Sequence, residues 1–193
     1  MTVRRLLHTL LLTTLLLSLN TAAQAQRWRA GLFQSPKGVG ITVMMDTWSG
    51  TETNVFTART DFYGFLSGRT DRIGAFFTYT HDYLFFLAEG QDYSIDLHLG
   101  AGGSFGFAYD YEKGFFSSLD RELEHTPGGV LALAGDVGVR IDFRRRISLD
   151  LGFHLEPGIH MRTDPETGAL LLSFYRNGIY RGYYPYLNLL YRF

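Results

Sequence analysis

Apolar and polar residues alternate without a lapse over residues 147–162. One face reads Ile147, Leu149, Leu151, Phe153, Leu155, Pro157, Ile159, Met161. The other reads Ser148, Asp150, Gly152, His154, Glu156, Gly158, His160, Arg162. Period 2 is the side-chain period of a β-strand. Pro157 has no N–H for a ladder, so the pattern predicts a bulge or an irregular edge there. Residues 130–143 repeat the rhythm: Leu131, Leu133, Val137, Val139, Ile141 and Phe143 oppose Ala132, Ala134, Asp136, Gly138, Arg140 and Asp142. The short link through Arg144, Arg145 and Arg146 makes these two strands a hairpin. Residues 93–109 alternate too, with Ser94, Asp96, His98, Ser104 and several glycines on the polar face. Residues 54–66 set Phe56, Ala58, Phe62 and Leu66 against Arg59, Asp61 and Tyr63. Residues 38–47 set Val39, Ile41, Val43 and Met45 against Thr42, Met44 and Asp46. Residues 72–87 are apolar on both faces and say least. The final strand sets Leu187, Leu189, Tyr191 and Phe193 against Tyr186, Asn188 and Arg192, with Leu190 an apolar intruder on the polar side.

Strands apolar on one face, aromatic at their ends and charged on the other are what a membrane-spanning β-barrel needs. The first residues agree. Arg4 and Arg5 precede an apolar run over 6–19, and Ala23, Gln24 and Ala25 form a cleavage-site pattern. That is the form of a secretory signal peptide, too short for a membrane helix. The expected division is a signal at 1–25 and one barrel domain at 26–193. The 168 remaining residues carry 16 basic and 19 acidic side chains, or −3. That balance leaves no basic footprint, and no nucleic-acid partner is expected. Only two of the basic residues, Lys37 and Lys113, are lysines, so much of the surface is not expected to face water. There is no cysteine, hence no disulfide, no thiolate chemistry and no lipoprotein anchor.

Bacterial barrels have even strand numbers, short turns on one side and longer loops on the other. Two schemes satisfy this with eight strands. The first counts a strand at 27–34 and puts long links at 110–129 and 163–182 outside, the Asn177-Gly178 turn standing within the second. The rival pairs 169–176 with 179–193 across Asn177-Gly178, drops 27–34 and inverts every loop. The first is preferred because it keeps the acidic link (Asp110, Glu112, Asp120, Glu122, Glu124) outside.

Inward faces then carry Arg59, Asp61, Asp96, His98, Asp136, Arg140, Asp142, Asp150, His154, Glu156 and Arg162, with Asp46, His160 and Arg192 beside them. An eight-stranded barrel is only just wide enough for its own side chains. Buried charges survive when paired, so the expected interior is a plug of ion pairs; a narrow pore and a catalytic cluster are the alternatives. Arg140 is expected to be buried and paired with Asp136, Asp142 or Asp150. His154 and His160 are six residues apart on one strand face, about 20 Å, and cannot share an ion. No metal or cofactor is expected. Ser148 and Ser173 have no histidine beside them in sequence, and no enzyme activity is expected. The glycine run at 100–106 lacks the Lys-Ser/Thr of a phosphate loop and interrupts a strand.

The terminal Tyr191-Arg192-Phe193, the alternating strands and the Gly100-Ala101-Gly102-Gly103 run resemble the small outer-membrane β-barrel proteins of Gram-negative bacteria, the broad OmpA-barrel or porin-like superfamily. The resemblance implies an eight-stranded antiparallel up-and-down barrel in the cell outer membrane, with Leu189, Tyr191 and Phe193 as an assembly signal. It implies contact with outer-membrane lipid, with the barrel-assembly machinery, and with other envelope proteins through extracellular loops. The role implied is structural, a narrow channel, or binding through loops. The rivals are a lipid-modifying barrel enzyme and an accessory barrel of a secretion or uptake complex.

Overall fold

The computed structural model describes residues 28–66, 72–109, 128–143, 146–164, 167–175 and 183–193. The signal-like segment 1–25, the acidic link, Arg144 and Arg145, and the Asn177-Gly178 turn lie outside the described residues.

Ten strand segments form one antiparallel sheet that closes on itself. They are β1 (Trp28–Ser35), β2 (Gly38–Asp46), β3 (Glu52–Asp61), β4 (Gly74–Glu89), β5 (Tyr93–Ala108), β6 (Gly128–Phe143), β7 (Ile147–Leu155), β8 (Gly158–Thr163), β9 (Leu170–Phe174) and β10 (Tyr183–Arg192). Sequential neighbours pair from β1 through β7, β7 pairs with β10, and β10 returns to β1. Segments β7 and β8 are one wall strand, since both pair with β6. Likewise β9 pairs with β8 as β10 pairs with β7. The barrel is therefore eight-stranded, in meander order.

The alternation sets the facing. On β6, Val130, Ala132, Ala134, Asp136 and Arg140 are buried, while Leu131, Leu133 and Val137 are exposed, Leu133 at 71%. Leu151, Phe153, Leu155, Ile159 and Leu189 continue that apolar outer surface. A one-residue slip would exchange the faces of a whole strand. The break at Glu156 and Pro157 does not disturb this. Glu156 and His160 stay buried on either side of it, and Leu133 N–H donates to the Pro157 carbonyl at 2.9 Å.

The β1 strand excludes the scheme that omitted it. Three readings need correction. First, 54–66 is not one strand: β3 ends at Asp61, and Tyr63–Leu66 is a helical turn, α1, with Leu66 N–H on the Phe62 carbonyl. Phe62 and Leu66 therefore leave the β3 face. Second, 163–182 is not all loop. Leu170–Phe174 pairs in register with β8 and extends the wall. Third, the segment with the least pattern in sequence, β4, alternates as well, burying Phe76, Thr78, Thr80 and Asp82. Its aromatic excess faces outward and hid the pattern.

Short connections at 47–51, 90–92 and 144–146 share one rim with both ends of the described chain, Trp28 and Phe193. The 62–73, 109–127 and 164–169 connections belong to the other rim, with the tight 36–37 turn. At that turn the Ser35 hydroxyl accepts from Lys37 N–H and Gly38 N–H, both at 3.2 Å.

Closure rests on the β1–β10 register, in which Leu32 stands opposite Leu189. Directly paired antiparallel residues have Cα atoms about 4.5–5.5 Å apart, within disulfide range. The chain has no cysteine of its own to compete. Leu32→Cys with Leu189→Cys should cross-link on oxidation, shown by altered gel migration without reductant. Leu32→Cys with Leu187→Cys should not. A reversed result would mean a different closure register.

Candidate functional site

The interior is built in rings that follow from strand register. One ring joins Asp82, Gly100, Asp136, His154 and Tyr184; the next joins Leu84, His98, Gly138, Gly152 and Tyr186. Large side chains alternate with glycine because the lumen has no room for both. A Cβ on Gly138 would lie 2.5 Å from His98 Nε2, and one on Gly100 would lie 2.1 Å from Asp136 Oδ1 and 2.2 Å from Asp82 Oδ1.

At the short-turn end Arg29 is shared between Asp46 at 2.5 Å and Asp142 at 2.8 Å. Thr53 donates to Asp46 at 2.9 Å and Ser148 donates to Asp142. Arg140 is fully buried and donates to the Thr53 hydroxyl at 3.1 Å. Its ion pair is with Asp46 at 3.9 Å. This corrects the expected partner. Asp150 does stand opposite Arg140 in register, but its oxygens are engaged by His98 Nε2 at 2.8 Å and by the Asn188 amide at 2.9 Å. Asp96 is only half-buried, at the rim of an open vestibule of about 500 Å³ lined also by Arg29, Asp46, Asp142 and Arg192.

At mid-height the His98 ring is wedged between carboxylates. Nε2 donates to Asp150, while Nδ1 faces Asp82 Oδ2 at 3.5 Å and Asp136 Oδ1 at 3.8 Å. Thr80 holds the far oxygens of that pair, Asp82 Oδ1 at 2.8 Å and Asp136 Oδ2 at 3.0 Å. These three residues, Asp82, His98 and Asp136, are the group able to hold a metal ion among the described residues.

Above them Glu156, with no exposed surface, gathers four partners. Arg59 donates to it, Thr78 donates at 3.2 Å, His154 Nε2 stands at 3.3 Å and Lys37 Nζ at 3.9 Å. The Lys37 ammonium also sits 4.5 Å from the centre of the Tyr184 ring and the Arg59 guanidinium 4.6 Å from that of Phe76, cation–π distances. The Tyr175 hydroxyl donates to Asp61 at 2.9 Å. Nearer the long-loop rim, the Arg162 guanidinium lies against the His160 ring at 3.1–3.3 Å.

The interior thus holds Arg59, Asp61, His98, Asp136, Arg140, Asp150, His154, Glu156 and Arg162 as buried side chains, with Asp142 and Asp96 toward the rim. Leu190 packs inside with Met44 and Val55. Leu189, Tyr191 and Phe193 face outward. Sequence reasoning missed Arg29, Lys37, Asp82 and the threonine set. Asp82 was hidden by its aromatic neighbours, and Arg29 and Lys37 lie in or beside a short strand with little pattern. It also missed that Ser173 stands opposite His160. The Ser173 hydroxyl donates to the His160 main-chain carbonyl at 3.5 Å.

No protein-family model and no curated protein matches the chain. A solved structure it is similar to is that of a major outer membrane protein from Thermus thermophilus, with 14% identity, a TM-score of 0.49, and coverage of 88% of this chain and 100% of that one.

Removing Glu156 would take from buried Arg59 its ion-pair carboxylate and from Lys37 a nearby anion. Breaking a buried pair from one side costs about 3–5 kcal/mol. Glu156→Ala should lose stability on that scale in urea unfolding from phospholipid vesicles. Asp96→Ala, at the open rim, should lose less than about 1 kcal/mol. Equal losses would contradict the division between a sealed middle and a wet mouth.

Proposed function

We propose that this chain is a membrane-spanning barrel of the cell outer membrane, closed to ion flow through its middle, that anchors and presents its long-loop rim. The observation that carries the reading is the inversion of polarity. The outer surface is an apolar belt of Leu, Val, Ile and Phe, and the charged residues turn inward. Such a belt needs a lipid partner, and a closed sheet leaves no unpaired strand edge in hydrocarbon. The barrel middle supports a plug rather than a pore. Side chains fill it, and the cavity among Thr80, Asp82, Asp136, Asp150, His154 and Tyr186 measures about 20 Å³, enough for about one water.

The short turns share a rim with the ends of the described strands, and in outer-membrane barrels that rim faces the periplasm. The long connections then face outward, where binding to other envelope proteins would occur. On this reading the chain belongs with the small porin-like barrels of Gram-negative bacteria, reaches the membrane through a cleaved signal and the barrel-assembly machinery, and carries out no catalysis.

Purified protein in planar bilayers should give no unitary current steps. Sustained steps from heat-modifiable, folded protein would overturn the plug. Leu151→Arg places a charge on the lipid face and should cost about 2–4 kcal/mol if it lies near the bilayer midplane. Unchanged stability in vesicles would remove Leu151 from the lipid belt.

A further inference from the structure

We propose that Asp82, His98 and Asp136 bind one divalent cation of the zinc class inside the barrel. The three come from the adjacent strands β4, β5 and β6, and one ligand atom from each lies within 4.8 Å of the others. Ligands about 2.1 Å from a shared tetrahedral ion stand about 3.4 Å from one another. His98 Nδ1 is 3.5 Å from Asp82 Oδ2 and 3.8 Å from Asp136 Oδ1.

Independent features point to a ligand there. His98 has no exposed surface, yet its Nδ1 has no hydrogen-bond partner, and neither has buried Asp136 Oδ1. The two atoms face each other at 3.8 Å. The opposite ring nitrogen is anchored on Asp150 at 2.8 Å. That holds a proton on Nε2 and makes Nδ1 the nitrogen free to coordinate once an ion displaces any proton there, the arrangement that orients metal-bound histidines. Thr80 engages the oxygens of Asp82 and Asp136 that face away, leaving one oxygen of each to coordinate. No arginine or lysine nitrogen lies within 4 Å of either carboxylate among the described residues, so a dication would neutralise a pair whose one direct cationic neighbour is His98. Gly100 keeps the space clear, since a Cβ there would reach both carboxylates. The water-sized cavity beside them offers a fourth ligand position. One nitrogen and two carboxylate oxygens suit zinc or cobalt(II) better than calcium, which takes 6–8 oxygens. Sealed in the lumen, the ion would staple three consecutive strands.

The test is to refold the full barrel with cobalt(II), remove free ion, and record metal content and the visible spectrum of the folded, heat-modifiable fraction. One equivalent of retained cobalt with a tetrahedral-type spectrum is expected. Asp82→Asn and Asp136→Asn should each abolish retention, Asp150→Asn should weaken binding about 10–100-fold, and Asp96→Asn at the vestibule should leave it unchanged. Should the replacements fail to fold, X-ray absorption on the zinc-refolded wild type decides. A shell with one imidazole and the rest oxygen supports the site, and an all-oxygen shell refutes it. No retained ion in the folded wild type, or retention that survives both Asp82→Asn and Asp136→Asn, overturns the proposal and leaves His98 as a cation bridging the carboxylates.

Discussion

Closing eight strands into a ring gives every second side chain the same small space to share. Everything else in this molecule answers to that constraint. The inward residues cannot all be large, so glycines at 100, 138 and 152 stand beside Asp136, His98 and Tyr186. They cannot be charged without partners, because an isolated ion in a dry interior carries a desolvation penalty of several kcal/mol. The result is a column of small clusters, each centred on a residue that serves several neighbours at once: Asp46 below, His98 in the middle, Glu156 above.

The clusters divide the work by charge type. Arginine supplies the fixed cations of the lower group and, with Lys37, those of the upper one, and its planar fork meets two acceptors at once, as Arg29 does with Asp46 and Asp142. The middle group, among the described residues, has no arginine or lysine within ion-pair distance of Asp82 or Asp136 and leans on one imidazole and one hydroxyl. Threonines fill the joints between clusters: those at 53, 78 and 80 donate to carboxylates, and Thr42 links the Thr57 hydroxyl to the Asn188 amide oxygen.

The wall was legible in the sequence wherever a strand had one clean apolar face. β6 and β7 with β8 read directly from alternation, through Pro157. β4 did not, because Phe77, Tyr79, Tyr83 and Phe85 on its outer face blurred into Phe76 on the inner one, and this hid Asp82. The sequence also showed which charges point inward better than which charges meet. Arg140 and Asp150 are register partners, yet Arg140 turns to Thr53 and Asp46 across the lumen, since side chains of this length reach beyond their ladder neighbours. Pairing along a sheet is a one-dimensional rule, and a barrel interior is three-dimensional. The helical turn at Tyr63–Leu66 was invisible for another reason: two hydrophobic residues at even spacing mimic a strand when no polar residue contradicts them.

The alternation of the wall also bears on how such a molecule is made. A β6–β7 hairpin inserted alone would show Asp136, Arg140, Asp142, Asp150 and His154 to hydrocarbon, together with two rows of unpaired main-chain groups. On the proposed membrane reading, such a hairpin is not a stable intermediate in lipid. Several carboxylates meet their cations only when distant strands have come together, as Asp142 on β6 meets Arg29 on β1 and Glu156 meets Arg59 on β3. If the barrel enters a bilayer as proposed, entry and closure of the ring are coupled, because only the closed ring turns these charges away from lipid.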